Sequence, residues 1–164
     1  MTIRFGILTL SDRSSRGERA DSSGPALAKL IEDEGWVVVK QSLLPDDEPA
    51  IREILSSWAD SHEMDVLVTT GGTGFSPRDV TPEATRAVIE RDAPGLAEAM
   101  RAASLRVTSH AMLSRIVTGI RRKTLIINLP GSPKGAVENL QVILSVLPHA
   151  VQLLHEDPAS ESTH

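Results

Sequence analysis

Asp65-Val-Leu-Val-Thr-Thr-Gly-Gly-Thr-Gly-Phe-Ser-Pro-Arg-Asp-Val-Thr-Pro-Glu-Ala-Thr85 decides the fold. Residues 65–70 are mostly apolar and β-branched, the composition of a buried strand. Gly71-Gly72-Thr73-Gly74 follows as a flexible loop, and Thr81-Pro82 opens a helix, with Thr81 expected as its cap. A strand leading through a loop into a helix is the unit from which parallel α/β sheets are built. As bare sequence the loop is either a plain tight turn or a set of backbone N–H groups that can approach a phosphate closely. It is not a Walker A loop, because no Gly-Lys-Ser/Thr follows. It is not a dinucleotide fingerprint either: Pro77 stands where a third glycine belongs, and no helix starts at the loop.

The alternation of strand and helix extends in both directions. Residues 3–10 read as a strand, and Gly24-Pro25 opens a helix that Gly35 terminates. Residues 36–44 are Val-rich, as buried parallel strands are. Ile51, Ile54, Leu55 and Trp58 recur at helical spacing. Helices are expected over residues 82–91 and 95–107, split by Ala93-Pro94-Gly95. Residues 116–120 and 124–129 read as strands of an antiparallel hairpin, joined by the basic turn Arg121-Arg122-Lys123. Ser132-Pro133 opens a last long helix, which Pro148 interrupts. The pattern predicts a three-layer αβα domain over residues 1–155, with a mostly parallel sheet and one hairpin, and a polar, frayed C-terminal tail over 156–164.

Composition narrows the function. The 164 residues suit one domain, and 17 Lys+Arg against 22 Asp+Glu leave a net charge of −5. Such a chain cannot neutralise a long phosphate track, and two Phe, two Trp and no Tyr give no base-stacking platform. No nucleic-acid partner is expected. The absence of cysteine excludes disulfides, thiolate metal sites and cysteine nucleophiles. The N-terminal apolar run is too short for a signal peptide, and no apolar run reads as a membrane span, so a cytoplasmic protein is expected.

In open α/β sheets ligands bind beyond the carboxyl ends of the strands. Four segments fall on that edge: Ser11-Asp12-Arg13, Pro45-Asp46-Asp47, residues 71–79 and residues 128–134. Asp46 and Asp79 each have a local explanation, as acids near a positive helix end worth about 0.3–1 kcal/mol. Together on one edge, beside a glycine loop, they fit a divalent-metal or acid/base pair. Lys134 in the first turn of the last helix opposes the dipole, so it either shares an anion with that helix end or is simply solvated. Asp21-Ser22-Ser23-Gly24 is explained by capping alone, and Ser114-Arg115 is a weak candidate ligand contact. His62, His110, His149, His155 and His164 show no metal spacing and read as structural or surface residues. Trp36 and Trp58 read as core anchors, and Met100 and Met112 as core or interface.

At these residues the chain resembles the molybdenum-cofactor biosynthesis family, specifically molybdopterin adenylyltransferases and the gephyrin-type G domain. The resemblance is carried by Leu10-Ser11-Asp12-Arg13, Asp21-Ser22-Ser23-Gly24, Leu44-Pro45-Asp46, Thr69-Thr70-Gly71-Gly72-Thr73-Gly74 and Arg78-Asp79-Val80-Thr81-Pro82-Glu83-Ala84-Thr85. Further carriers are Pro94-Gly95, Met100-Arg101, Leu113-Ser114-Arg115 and Asn128-Leu129-Pro130-Gly131-Ser132-Pro133-Lys134-Gly135. It implies a homotrimeric enzyme that adenylylates molybdopterin with Mg2+ and ATP and releases pyrophosphate. Asp46 and Asp79 would be the essential, metal-positioning acids. Ser11, Asp12, Thr70, Gly71, Gly72, Thr73, Gly74, Arg78, Ser114, Pro130, Gly131, Ser132 and Lys134 would bind substrate and nucleotide, with Phe75 the one aromatic in the right loop. A separate protein would insert molybdenum. The retained Arg78-Asp79-Val80-Thr81-Pro82 run points to the catalytic branch. A non-catalytic molybdopterin carrier and an oligomeric scaffold of the same fold remain the alternatives.

Overall fold

The structure, a computed structural model, describes residues 1–163; His164 lies outside the described residues. Six strands form one sheet in the order β2-β1-β3-β6-β5-β4. β1 (Arg4–Leu10), β2 (Val37–Leu44), β3 (Val66–Thr70) and β6 (Thr124–Leu129) run parallel, whereas β5 (Thr118–Arg121) pairs antiparallel with β6 and β4 (Arg91–Asp92) antiparallel with β5. Side chains of successive strand residues point to opposite faces, so each central strand serves two layers. Phe5, Ile7, Val68 and Ile127 meet α2 (Ser23–Asp33), α5 (Pro94–Leu105), α6 (Pro133–Ile143) and α7 (Leu147–Leu154) on one face. Leu8, Leu67 and Ile126 meet α3 (Glu48–Asp60) and α4 (Thr81–Val88) on the other. The helices bury matching stripes: Ile51, Leu55, Trp58 and Ala59 of α3, and Ala136, Leu140 and Ile143 of α6, fall at helical spacing. Trp36 stacks on Phe5 with ring centroids 5.6 Å apart.

Three local expectations change. β2 is parallel but lies at the sheet edge, so its residues alternate in exposure and Val37 and Val39 face outward. The helix expected to reach residue 91 ends at Val88: Ile89 is extended, and the N–H groups of Glu90 and Ala93 donate to Ile120 and Thr118 carbonyls, adding β4 to the sheet. Thr81 is not the cap of α4; Val80 holds that position, and the buried Thr81 hydroxyl instead donates to the Gly71 carbonyl at 2.9 Å.

The last helix breaks near Pro148 into α6, a 3-10 turn at Leu144–Val146 and α7. By length and composition alone Pro133–Leu154 reaches what a membrane-crossing helix needs. Its apolar stripe, however, is spent on the sheet: Ala136, Leu140, Ile143, Leu147 and Val151 all sit in the core. Beyond it a 3-10 segment spans Pro158–Thr163, with Ser160 buried and its N–H bonded to the Asp157 carbonyl.

Candidate active site

The parallel strands deliver their following residues to one end of the sheet, around a cavity of 510 Å³. After β1 the chain enters a single helical turn, α1 (Asp12–Ser15), capped by Ser11, whose hydroxyl accepts from the Ser14 N–H. Asp12 and Asp46 hold each other reciprocally. The Asp12 N–H donates to Asp46 Oδ2 at 3.1 Å and the Asp46 N–H to Asp12 Oδ1 at 3.0 Å. Arg78 closes over the pair with two bonds to the Asp12 carboxylate, at 2.9 and 3.0 Å. That guanidinium, followed by the Asp46 N–H, holds the Asp12 carboxyl below the usual carboxylate range.

Asp46 is driven the other way. Its Oδ1 is buried with no hydrogen-bond partner among the described residues. Burial foremost, with the charges of Asp12 and Asp79 behind it, raises its carboxyl above the usual range against the Asp12 N–H bond. Asp79, by contrast, is held by the loop it follows, since its Oδ2 accepts from the Gly74 and Ser76 N–H groups, both at 3.1 Å. Gly71 and Gly72 adopt φ of +105° and +67°, open to glycine and strained for other residues. A Cβ on Gly72 would also come within 2.9 Å of Asp46 Oδ1. Thr70 Oγ1 bonds the Pro130 carbonyl at 2.7 Å and Ser23 Oγ the Gly131 carbonyl at 2.8 Å, tying the β6–α6 turn to the same floor. Ser132 caps α6 through the Gly135 N–H. The amino ends of α2 and α6 thus border the cavity at Ser22, Ser23, Ser132 and Pro133.

A second cavity of 330 Å³ lies on the far side of the glycine loop, between α5, the 3-10 turn Ser109–Leu113 and the start of α6. Ser104, Thr108, His110, Ser114 and Asn139 line it, and the Ser114 hydroxyl is buried without a partner among the described residues. Thr73, Gly74 and Pro130 belong to this cavity, whereas Ser11, Asp12, Asp46, Thr70, Gly71, Gly72, Arg78, Asp79 and Gly131 line the first; Ser132 borders both. Two residues expected at the site stand outside both cavities. Lys134 lines neither cavity: its ammonium extends into solvent, 3.9 Å from Glu138. Phe75 is two-thirds exposed and lines neither. Met112 is exposed, which removes the core half of its two readings.

The sequence reading missed the clamp that holds the loop. Arg115 donates to the Gly74 carbonyl at 2.7 Å and the Asp79 carbonyl at 2.9 Å, pairs with Glu83 at 2.7 Å, and gives its own N–H to Thr73. The sequence marks Arg115 only as part of the weak ligand-contact pair Ser114-Arg115 and of the run Leu113-Ser114-Arg115, not as a clamp on the loop. Arg101 acts similarly on the other wall, donating to the Ser114 and Ile116 carbonyls. Among the described residues no three His, Cys, Asp or Glu side chains are placed to hold a metal by themselves.

Comparison with known proteins places this arrangement. Residues 6–149 match the family model described as "Probable molybdopterin binding domain". A molybdopterin adenylyltransferase of Helicobacter pylori J99 is 40% identical over 155 residues, covering 93% of this chain and 88% of that protein. The molybdenum cofactor synthesis protein cinnamon of Drosophila melanogaster is 45% identical over 95% of this chain, which spans only about a quarter (26%) of cinnamon's length. The solved structure of the molybdopterin biosynthesis enzyme MoaB from Thermus thermophilus superposes with a TM-score of 0.89 at 50% identity, covering 96% of this chain and 99% of that one. The chain belongs to the molybdopterin-binding family of molybdenum-cofactor biosynthesis.

Proposed function

We propose that the chain is a molybdopterin adenylyltransferase, with ATP in the first cavity and molybdopterin in the second. The observation that carries this reading is the glycine loop lying between two cavities, with a buried, unpartnered carboxylate oxygen on one side and a buried, unpartnered hydroxyl on the other. An orphaned buried polar atom is costly unless a ligand satisfies it. The first cavity combines acids, arginines and two helix amino ends, the chemistry of a polyphosphate site. The second offers hydroxyls, an amide and an imidazole around a more apolar wall, which suits a flat polar heterocycle such as a pterin. Ser132 and residues 71–74 would then meet the pterin phosphate and the α-phosphate of ATP.

In the reaction an oxygen of the pterin phosphate bonds to the α-phosphorus of ATP. The bond from that phosphorus to the bridging oxygen breaks, and its electron pair leaves with pyrophosphate. A phosphate monoester, with a second pKa near 6, is already largely ionised at neutral pH, so it scarcely needs a base. Asp46 and Asp79 therefore act by positioning, not by abstracting a proton. Their all-oxygen donor set suits Mg2+, which takes one or two carboxylates and completes its shell with phosphate and water. Bound there, the ion would offset repulsion between the two anions. Arg78 is the exposed cation of the site, its guanidinium bonded to Asp12. It can exchange that carboxylate for a phosphate.

The same reading makes the protein cytoplasmic, where ATP is available, and homotrimeric, with a separate protein supplying molybdenum. The exposed Val107, Met112 and Leu113 beside the second cavity are apolar surface for such an assembly to cover. Incubation of the protein with molybdopterin and Mg-ATP should yield adenylylated pterin and pyrophosphate, and light scattering should give three times the chain mass. Pterin retained without adenylylation would replace the enzyme by a carrier.

A further inference from the structure

Arg13 and Arg19 line the first cavity on the side of α1. The arginines around them are engaged: Arg16 bonds Glu18 at 2.9 and 3.2 Å, and Arg78 bonds Asp12. Among the described residues no carboxylate makes an ion pair with Arg13 or Arg19, and Arg19 reaches only the Ser11 hydroxyl, at 3.5 Å. The backbone keeps them on one rim. The Gly17 N–H bonds the Ser14 carbonyl and the Glu18 N–H the Arg13 carbonyl, folding the chain back so that Arg19 faces Ser11. Two guanidiniums without an ion pair among the described residues, Arg13 feeling only the charge of nearby Glu18, thus line the same cavity as Asp46 and Asp79, in a chain of net charge −5. Cations and acids lining one cavity match a ligand that is strongly anionic and carries a cation with it.

We infer that Arg13 and Arg19 form the subsite for the β- and γ-phosphates of the nucleotide, and hence for the pyrophosphate that leaves. The inference rests on the reading that ATP occupies the first cavity. As the bond between the α-phosphorus and the bridging oxygen breaks, its electron pair adds charge to pyrophosphate, next to these guanidiniums. Arginine stays protonated there and bonds phosphate oxygens in a bidentate fork. The two side chains therefore select a triphosphate over AMP, and they act on the leaving group without touching the pterin.

Titration calorimetry with inorganic pyrophosphate and with AMP, as separate probes, tests this on the wild type, Arg13→Gln, Arg19→Gln and the double variant. The double variant should lose about tenfold or more in pyrophosphate affinity, as expected for lost charge-assisted bonds, with AMP affinity within about twofold. Because both side chains are exposed and unpaired, unfolding midpoints should not move. Arg13→Lys/Arg19→Lys should restore part of the pyrophosphate binding, a rescue that a purely structural role would not give. Undetectable pyrophosphate binding by the wild type, equal binding by the double variant, or a parallel fall in AMP affinity would overturn the assignment. Failure of the adenylylation reading shows separately, as absent adenylylated pterin from a protein that still binds pyrophosphate through these arginines.

Discussion

Replacing Asp46 by Asn should make the protein more stable while abolishing turnover. The native state holds a carboxylate whose Oδ1 has no donor among the described residues and whose ionised form is disfavoured by burial and by Asp12 and Asp79. An amide keeps the shape and can still accept from the Asp12 N–H at the Oδ2 position. Removing the buried charge relieves part of a desolvation cost of about 1–3 kcal/mol, but the amide N–H groups at the Oδ1 position find no acceptor there, so the lower end applies, about 1 kcal/mol. For a chain of this size that is an increase of about 2–4 °C in unfolding midpoint. The sign with pH follows from the raised native carboxyl. As pH rises, the unfolded chain releases this proton first, so the native state is penalised above the unfolded pKa and not below it. The gain from Asn should therefore be largest near neutrality and vanish as the pH approaches about 4, where the unfolded carboxyl is itself protonated. Thermal unfolding of both proteins across that range, with adenylylation assayed in parallel, is the measurement. A lower midpoint for Asp46→Asn at neutral pH, or a difference that does not shrink in acid, would refute the account of Asp46 as a strained, ligand-seeking acid.

Asp79→Asn should also abolish turnover, but without the stability gain, because Asp79 Oδ2 already accepts two loop N–H groups; pterin affinity measured by calorimetry should be largely kept. Gly72→Ala forces a left-handed residue and crowds Asp46 Oδ1, so it should cost about 1 kcal/mol or more and lower ATP affinity, read by urea unfolding and titration. Arg115→Gln removes three bonds that fix the loop between the cavities; affinities for both substrates should fall together, and Arg115→Lys should rescue little because one ammonium cannot span all three acceptors. At the opposite end of the sheet, burial raises the Asp65 carboxyl but Arg4, through side chain, N–H and charge, pulls it below the usual range. A depressed native carboxyl adds stability above the unfolded pKa that is lost as pH falls through the native one. Asp65→Asn should therefore be less stable at neutral pH and show a flatter acid limb.

What could be read in the sequence was local. Strand, glycine loop and helix over residues 65–88 follow from composition and spacing, as do the hairpin at Arg121-Arg122-Lys123 and the cap at Ser132, because each is determined within a few neighbouring residues. The edge position of β2 was not legible, since its three valines look the same whichever strands flank it. Nor was β4, whose two residues are a strand only because Ile120 and Thr118 supply the carbonyls. The site behaves alike. The sheet-edge rule brought Ser11, Asp46, Gly71 and Gly131 together, but the Arg78–Asp12 pair spans 66 positions and the Arg115 clamp 41 to Gly74.

The departures from folding rules are themselves informative. Among the described residues two glycines in left-handed conformation, an orphaned carboxylate oxygen and an orphaned serine hydroxyl gather around the one loop between the two cavities. A scaffold has no use for the two orphaned groups; each costs stability, and Asp46→Asn would relieve the buried charge and Ser114→Ala the buried hydroxyl. A carrier would use the serine and the loop to hold a pterin phosphate, but not an acid kept desolvated beside two other carboxylates. A reaction that brings ATP and its cation to the same loop as the pterin phosphate would give both orphaned groups a partner.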